Sequence, residues 1–205
     1  MSTPADYFEG MYRDEDDPWR LQRRWYEQRK YALTLDSLPR PRFRRAFEPA
    51  CSVGQLTRLL AARCDQVLAA DRVTSAVRTA RRRTQDLEHV EVAHLTVPES
   101  WPEGRFDLIV LSELLYYFDE ARLSALLSQA VGSLEPGGTL VSVHWNHPVA
   151  EHLYTGEQLA ERLGRIPDLR LRADHREEDF VLQTFSRPLP DGETPSSPAG
   201  FEGLL

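Results

Sequence analysis

The segment Phe106-Asp107-Leu108-Ile109-Val110-Leu111 limits the fold more than any other. A strand with one face in water alternates apolar and polar residues. A run that is apolar at almost every position must be covered on both faces, as a central strand is in a parallel sheet flanked by helices. The surrounding sequence supplies such a sheet, because short apolar runs alternate with helical patterns and parallel strands need crossover helices between them. Strands are expected over 46–50, 66–71, 90–95 and 139–145, with helices over 54–65 and, capped by Thr74, over 74–86. The 3.6-residue period is clearest after Asp119, where Leu123, Leu126, Leu127, Ala130, Val131 and Leu134 share one face. Glu135-Pro136-Gly137-Gly138 should end that helix.

Thr155-Gly156-Glu157-Gln158 has the spacing of a capping box and predicts a further helix burying Leu159, Leu163 and Ile166. Strands over 169–172 and 180–185 are too close in sequence for a crossover helix, so they should pair antiparallel. The predicted fold is α/β, with seven strands in a mostly parallel sheet and an antiparallel C-terminal hairpin. The 205 residues suit one domain. It divides into an acidic segment at 1–17, a helical cap at 18–45, a core at 46–187 and, at 188–205, a Pro- and Gly-rich tail expected to lack structure. Within the first segment, Tyr7, Phe8, Met11 and Tyr12 could dock as one helical turn.

Charge narrows the partners. Residues 1–17 hold six acids against Arg13 and residues 188–205 hold three acids and no base, while the whole chain carries a net charge of -7. A domain built to neutralise nucleic-acid phosphates would be basic. The run Arg78, Arg81, Arg82, Arg83 reads as the solvated face of a helix. No apolar stretch reaches the length of a membrane span, and the first residues lack signal-peptide features, so a cytoplasmic location is expected. Cys51 and Cys64 suggest neither a zinc site nor a disulfide, and no metal is expected.

Ligands of open parallel sheets bind beyond the carboxyl ends of the strands where strand order reverses. That places the candidate site at Glu48-Pro49-Ala50-Cys51-Ser52-Val53-Gly54, with Gly54 opening the following helix. Asp71, at the end of the next strand, can accept hydrogen bonds from two ribose hydroxyls. The Gly-x-Gly-x-x-Gly pattern that admits a pyrophosphate is missing, which favours a nucleoside without a diphosphate over a nicotinamide dinucleotide.

With Asp71, the pieces Glu48-Pro-Ala-Cys-Ser-Val-Gly54, Phe106-Asp-Leu-Ile-Val-Leu-Ser-Glu113 and Leu134-Glu-Pro-Gly-Gly138 resemble successive motifs of the Rossmann-like class I S-adenosylmethionine-dependent methyltransferases. Three further segments bring the chain closer to the NodS-type nodulation methyltransferases. These are Asp17-Pro18-Trp19 with Trp25-Tyr26-Glu27-Gln28-Arg29-Lys30-Tyr31, then Ser112-Glu113-Leu114-Leu115-Tyr116-Tyr117, and His144-Trp145-Asn146-His147-Pro148. The resemblance spans roughly residues 7–187. It implies S-adenosylmethionine as cofactor and, as acceptor, the free amine of a chitin-like oligosaccharide.

Two positions depart from the pattern. Ala50 replaces a usual glycine; ordinary β geometry, which would make it harmless, is expected there, whereas a positive φ would strain it. His94-Leu95-Thr96 replaces the acid that many relatives direct at the adenine.

Glu48, Ala50, Cys51, Ser52, Gly54, Asp71 and Ser112 are the expected cofactor residues, with Trp19 beside them and Arg29 or Lys30 for the methionine carboxylate. An amine must be neutral to accept a methyl group. Glu113 could bind or deprotonate it, or else cap a neighbouring group. His144 and His147 are alternative bases, more apt for a hydroxyl acceptor. Tyr26, Tyr116 and Tyr117 could present ring faces to the acceptor, while Trp25 and Tyr31 pack the leading helix onto the sheet. The expected activity is methyl transfer to an amino sugar or glycan amine. O-methylation of a small molecule and a non-catalytic nucleoside-binding scaffold are the competing readings.

Overall fold

The computed structural model describes Thr3 and residues 5–205. Met1, Ser2 and Pro4 of the acidic segment lie outside the described residues. Helices α1 (Ala5–Asp14) and α2 (Trp25–Asp36) precede the sheet. Then follow β1 (Phe43–Pro49), α3 (Gln55–Ala61), β2 (Cys64–Asp71), α4 (Thr74–Arg83), β3 (Val90–His94) and β4 (Phe106–Ser112). The second half comprises α5 (Glu120–Ser133), β5 (Leu134–Trp145), α6 (Gly156–Gly164), β6 (Arg170–Arg176), β7 (Phe180–Ser186) and the short α7 (Pro198–Phe201).

The seven strands lie in the order β3-β2-β1-β4-β5-β7-β6. The pairs from β3 to β5 are parallel, and β7 is antiparallel to both β5 and β6. The central position of β4 follows from its sequence. Ile109 and Leu111 pack with Leu123, Leu126 and Ala130 of α5, while Leu108 and Val110 pack with Leu56 and Leu60 of α3 and Tyr31 of α2. All four strand residues are fully buried, each worth about 1.5–3 kcal/mol in transfer from water. Asp107, the one charge in the run, is 4% exposed and accepts the Arg44 and Arg45 amides of β1 at 2.9 and 2.8 Å. A buried carboxylate is tolerated when it is hydrogen-bonded in this way.

Local signals placed two helix starts. The Asp119 side chain accepts from the Arg122 amide, and Thr155 with Gln158 completes a capping box. Elsewhere the boundaries differ. The cap of α4 is Val73, without a side-chain bond, and Thr74 is its first residue. Helix α3 stops at Ala61 because the chain must already pair as β2 from Cys64. Strand β5 begins at Leu134, opposite Phe106, and absorbs the Glu135-Pro136-Gly137-Gly138 turn as a register shift, with Gly137 at φ 75°. The tail also carries structure, since Leu189 and Glu193 close a turn, Arg172 Nη1 donates to Pro195 O at 2.7 Å, and α7 follows.

Trp25 does not pack onto the sheet, being 73% exposed. Helix α2 docks through Glu27, Lys30, Tyr31 and Thr34, and at about 100° per residue Trp25 falls on the opposite side. Tyr31 is buried as expected. Helix α1 is longer than a single turn and packs Tyr12 and Phe8 against Val53, Val73, Ala76 and Trp19. Of the arginine run, Arg78, Arg81 and Arg82 are exposed. Among the described residues no helix is long and apolar enough to cross a membrane.

Candidate active site

The chain places β2 and β3 on one side of β1 and β4 on the other, so strand order reverses between β1 and β4. Their carboxyl ends flank a cavity of about 500 Å³, roofed by α1 and walled by α2. Glu48, Ala50, Cys51 and Ser52 line it beside Asp71, and Trp19, Ser112, Glu113, Tyr26, Tyr116 and Tyr117 line it as well. Four expected residues do not. Gly54, Arg29, His144 and His147 are absent from the wall.

The loop after β1 is held by backbone strain and by Asp71. Ala50 has φ 59° and Ser52 φ 52°, so the glycine-like conformation is present without glycine, contrary to the expectation of ordinary β geometry. The cause is Asp71, whose two carboxylate oxygens accept the Ser52 and Val73 amides, each at 2.9 Å, and turn the loop inward. Gly54 (φ 75°) is required by packing, because a Cβ there would lie 3.0 Å from the Ala80 Cβ of α4. Replacing Ala50 with glycine removes a left-handed penalty of roughly 1–2 kcal/mol against an added chain entropy of roughly 0.5–1 kcal/mol. Thermal melting of A50G should therefore give a Tm higher by about 1–3 °C, with an unchanged or lower Tm contradicting the strain.

Burial raises Asp71 above the ordinary carboxylate range, with the Val73 and Ser52 amides opposing it. Glu48 lies deeper. It accepts from Thr57 Oγ1 at 2.5 Å, and burial pushes it up to about 8, so it is largely protonated at neutral pH. Above the loop, Tyr12 of α1 hydrogen-bonds Ser52 Oγ and packs edge-on against Trp19. The third-strand end contributes Leu95, Thr96 and Val97, whereas His94 turns away, its Nε2 lying 2.8 Å from Arg72 O.

At the other end of the cavity, beyond β4 and β5, ionisable groups converge. Lys30 Nζ lies 2.7 Å from Glu113 Oε1 and 3.0 Å from Glu27 Oε2. The second contact is an ion pair that fixes Glu27 Oε2 in the buried wall. Glu113, itself at φ 51°, also accepts Tyr116 OH and the Trp145 amide on Oε2. Burial alone would raise Glu113, but Lys30 outweighs it and the net shift is down. Burial would lower Lys30, and the two carboxylates reverse that. Glu113 is thus a saturated carboxylate, held ionised. Asp179 completes this end.

The missing residues have other partners. Arg29 makes a bidentate pair with Glu177 at 2.5 and 2.7 Å, and the lysine one position on faces the cavity instead. His144 is fully enclosed. The Leu115 amide donates to its Nε2 at 3.1 Å and Ser142 Oγ lies 3.0 Å from Nδ1. Burial pushes it down to about 4, and it remains a neutral prop for the turn after β4. His147 Nε2 sits 2.8 Å from Asp179 Oδ1. The histidine that does line the cavity, His152, stacks on Tyr116 at 3.7 Å. Tyr12, Glu27, Asp179 and His152 had no site role assigned from the sequence. Only Glu27 carried a usable signal, its spacing of three from Lys30 on a helix. Among the described residues no three His, Cys, Asp or Glu side chains converge to hold a metal.

A family model described as nodulation protein S (NodS) matches residues 9–188. The nodulation protein S of Rhizobium tropici is 32% identical over 184 residues, covering 85% of this chain and 77% of its own. A crystal structure of a Pseudomonas syringae protein described as a methyltransferase is 43% identical, with TM-score 0.70, covering 80% of this chain and 100% of that one. The N-methyltransferase NodS of Bradyrhizobium japonicum WM9, solved with S-adenosyl-L-homocysteine, is 25% identical with TM-score 0.78 and covers 89% of this chain and 97% of its own.

Proposed function

Because the chain belongs to the nodulation protein S family and is an S-adenosylmethionine-dependent methyltransferase, we propose that its acceptor is an amine on an amino sugar or short glycan. The observation that carries this reading is the charge at the acceptor end. Glu27, Glu113 and Asp179 line that end against the cations Lys30 and Arg24, an excess of negative charge that favours an ammonium over a neutral phenol or alcohol.

The cofactor fits the opposite end. Asp71 retains lone pairs for the ribose diol after accepting two amides, and Ala50, Cys51 and Ser52 of the left-handed turn line the cavity beside it. Trp19 and Tyr12 would cover the sulfonium side, and Thr96 and Val97 the base. When bound, the cofactor supplies a methyl group on a positively charged sulfur. The protein's own task is alignment, exclusion of water and removal of one proton from the acceptor. Tyr26, Tyr116, Tyr117 and Trp145 offer ring edges and faces for the acceptor.

The test is incubation with labelled cofactor and a panel of glucosamine oligosaccharides, simple amines and phenols. Label should appear in the amino sugars. Because His147 lies outside the wall, H147A should retain wild-type amine methylation within about threefold. Label entering phenols in a His147-dependent way would instead favour O-methylation.

A further inference from the structure

We propose that Glu27 receives the acceptor ammonium and takes its proton, with Lys30 as the residue that positions it. This rests on the amine reading above and names the group on which that reading depends.

Three carboxylates line the acceptor end, and they differ in what remains to them. Glu113 has both oxygens engaged, by Lys30 on one and by Tyr116 and the Trp145 amide on the other. Asp179 has Oδ1 engaged by His147 and, with its side chain 46% exposed, is solvated rather than enclosed. Glu27 is 8% exposed, lines the cavity, and is met by Lys30 on one oxygen alone. Its Oε2 is fixed by charge against Lys30 and Oε1 is the oxygen left for a ligand. A carboxylate removed from water with one oxygen unpaired keeps acceptor capacity, and an ammonium with three N–H groups is the partner that would use it.

Lys30 is 2% exposed and spans Glu27 and Glu113, so it is not free to meet a ligand anion and instead holds both carboxylates in the wall. The charged and titratable groups around Glu27 are Lys30, Tyr26 and Tyr31 on α2, Arg24 just before it and Glu113 beyond β4. Burial outweighs Lys30 there and raises Glu27, whereas Glu113 is lowered. A carboxylate that is easier to protonate suits the proton-accepting task. In the reaction, one N–H proton passes from the ammonium to Glu27. The nitrogen lone pair then forms the N–C bond as the C–S bond breaks and its electrons return to sulfur. The product is a methylated ammonium, and Glu27 later loses its proton to water.

The experiment compares wild type and E27Q on a chitin tetrasaccharide deacetylated at its non-reducing end, between about pH 6.5 and about pH 9.5. E27Q is isosteric and leaves Lys30 paired with Glu113. At pH 7 kcat/KM should fall at least about 100-fold, and the defect should shrink to within about tenfold at the highest pH, where the free amine is already neutral. Affinity for S-adenosylmethionine, measured by calorimetry, should stay within about threefold of wild type. A defect equal at every pH, or no defect, overturns the proposal. Should E27Q lose its cooperative melt, E27D keeps the charge beside Lys30 but withdraws it by one methylene. It should lose at least about tenfold in kcat/KM with cofactor affinity retained, and full activity would overturn the proposal. If the wild type itself transfers no methyl group to this amine, the acceptor reading fails, which is a different outcome from an active wild type with an unimpaired E27Q.

Discussion

Replacing Lys30 with methionine should destabilise the protein by about 3 kcal/mol, lowering the Tm by about 6–12 °C, because it strands two carboxylates in the cavity wall. Methionine fills much of the lysine stem, so lost packing is a small part of the effect. The larger part is Glu27, 8% exposed and met by Lys30 alone, and Glu113, left with Tyr116 and the Trp145 amide alone. The sign with pH identifies the cause. In K30M the folded-state pKa of both acids rises above the unfolded value, so their protonated forms are favoured on folding. The variant's stability is therefore best below the unfolded carboxylate pKa, and its deficit grows as pH rises through the raised values. Melts at about pH 5 and about pH 8 should show the larger gap from wild type at pH 8. A gap independent of pH would mean that packing rather than charge holds this wall.

Replacing Asp71 with asparagine should weaken S-adenosylmethionine at least about 100-fold, the loss of charge-assisted hydrogen bonds to the ribose. The effect has two sources. An amide offers the diol one acceptor oxygen in place of two. Its NH₂ group must also face the Ser52 or the Val73 amide, both of which now donate to Asp71 at 2.9 Å. Two donors cannot pair, so the turn at Ala50 to Ser52 is pushed out of shape. Calorimetry of D71N reads the affinity directly. An affinity within about tenfold of wild type would remove Asp71 from the cofactor's ribose.

How legible these features were depends on how local their causes are. The apolar run at Phe106 to Leu111 needs no neighbour to declare itself, and it identified the strand that lies at the centre of the sheet. Asp119 and the Thr155 capping box are equally local, since donor and acceptor lie within three residues. The left-handed turn at Ala50 is different. Its backbone is set by Asp71, on another strand, and no property of alanine announces it. The acceptor wall was obscured for a similar reason. Residues 25 to 31 contain Trp25, Tyr26, Glu27, Arg29, Lys30 and Tyr31, and which of them face inward depends on the rotation of α2 against the sheet. That rotation buries Lys30 and Glu27 and leaves Trp25 in water. His144 likewise lies near the end of β5, which sends it under the turn after β4, while His147 lies two residues beyond the strand and meets Asp179.

The order of strands also bears on how the molecule comes together. Strand β7, the last made, lies between β5 and β6, pairing Thr139 with Ser186 and Trp145 with Phe180. Until residue 186 is available, β5 is an open edge. The earliest long helix is tied to the same late hairpin, through Arg29 to Glu177 and Ser37 to Thr184, contacts between residues 148 and 147 positions apart. Such distant pairings are slow, because loop-closure entropy is spent before any contact repays it. Helix α2 can settle on α3 and β4 through Tyr31 before residue 186 is available, but its tie to the hairpin waits for nearly the whole chain. The last stretch of chain thus closes the sheet and fastens α2 from its far side, and truncation within β7 would reopen the β5 edge and remove the contact of Thr184 with Ser37.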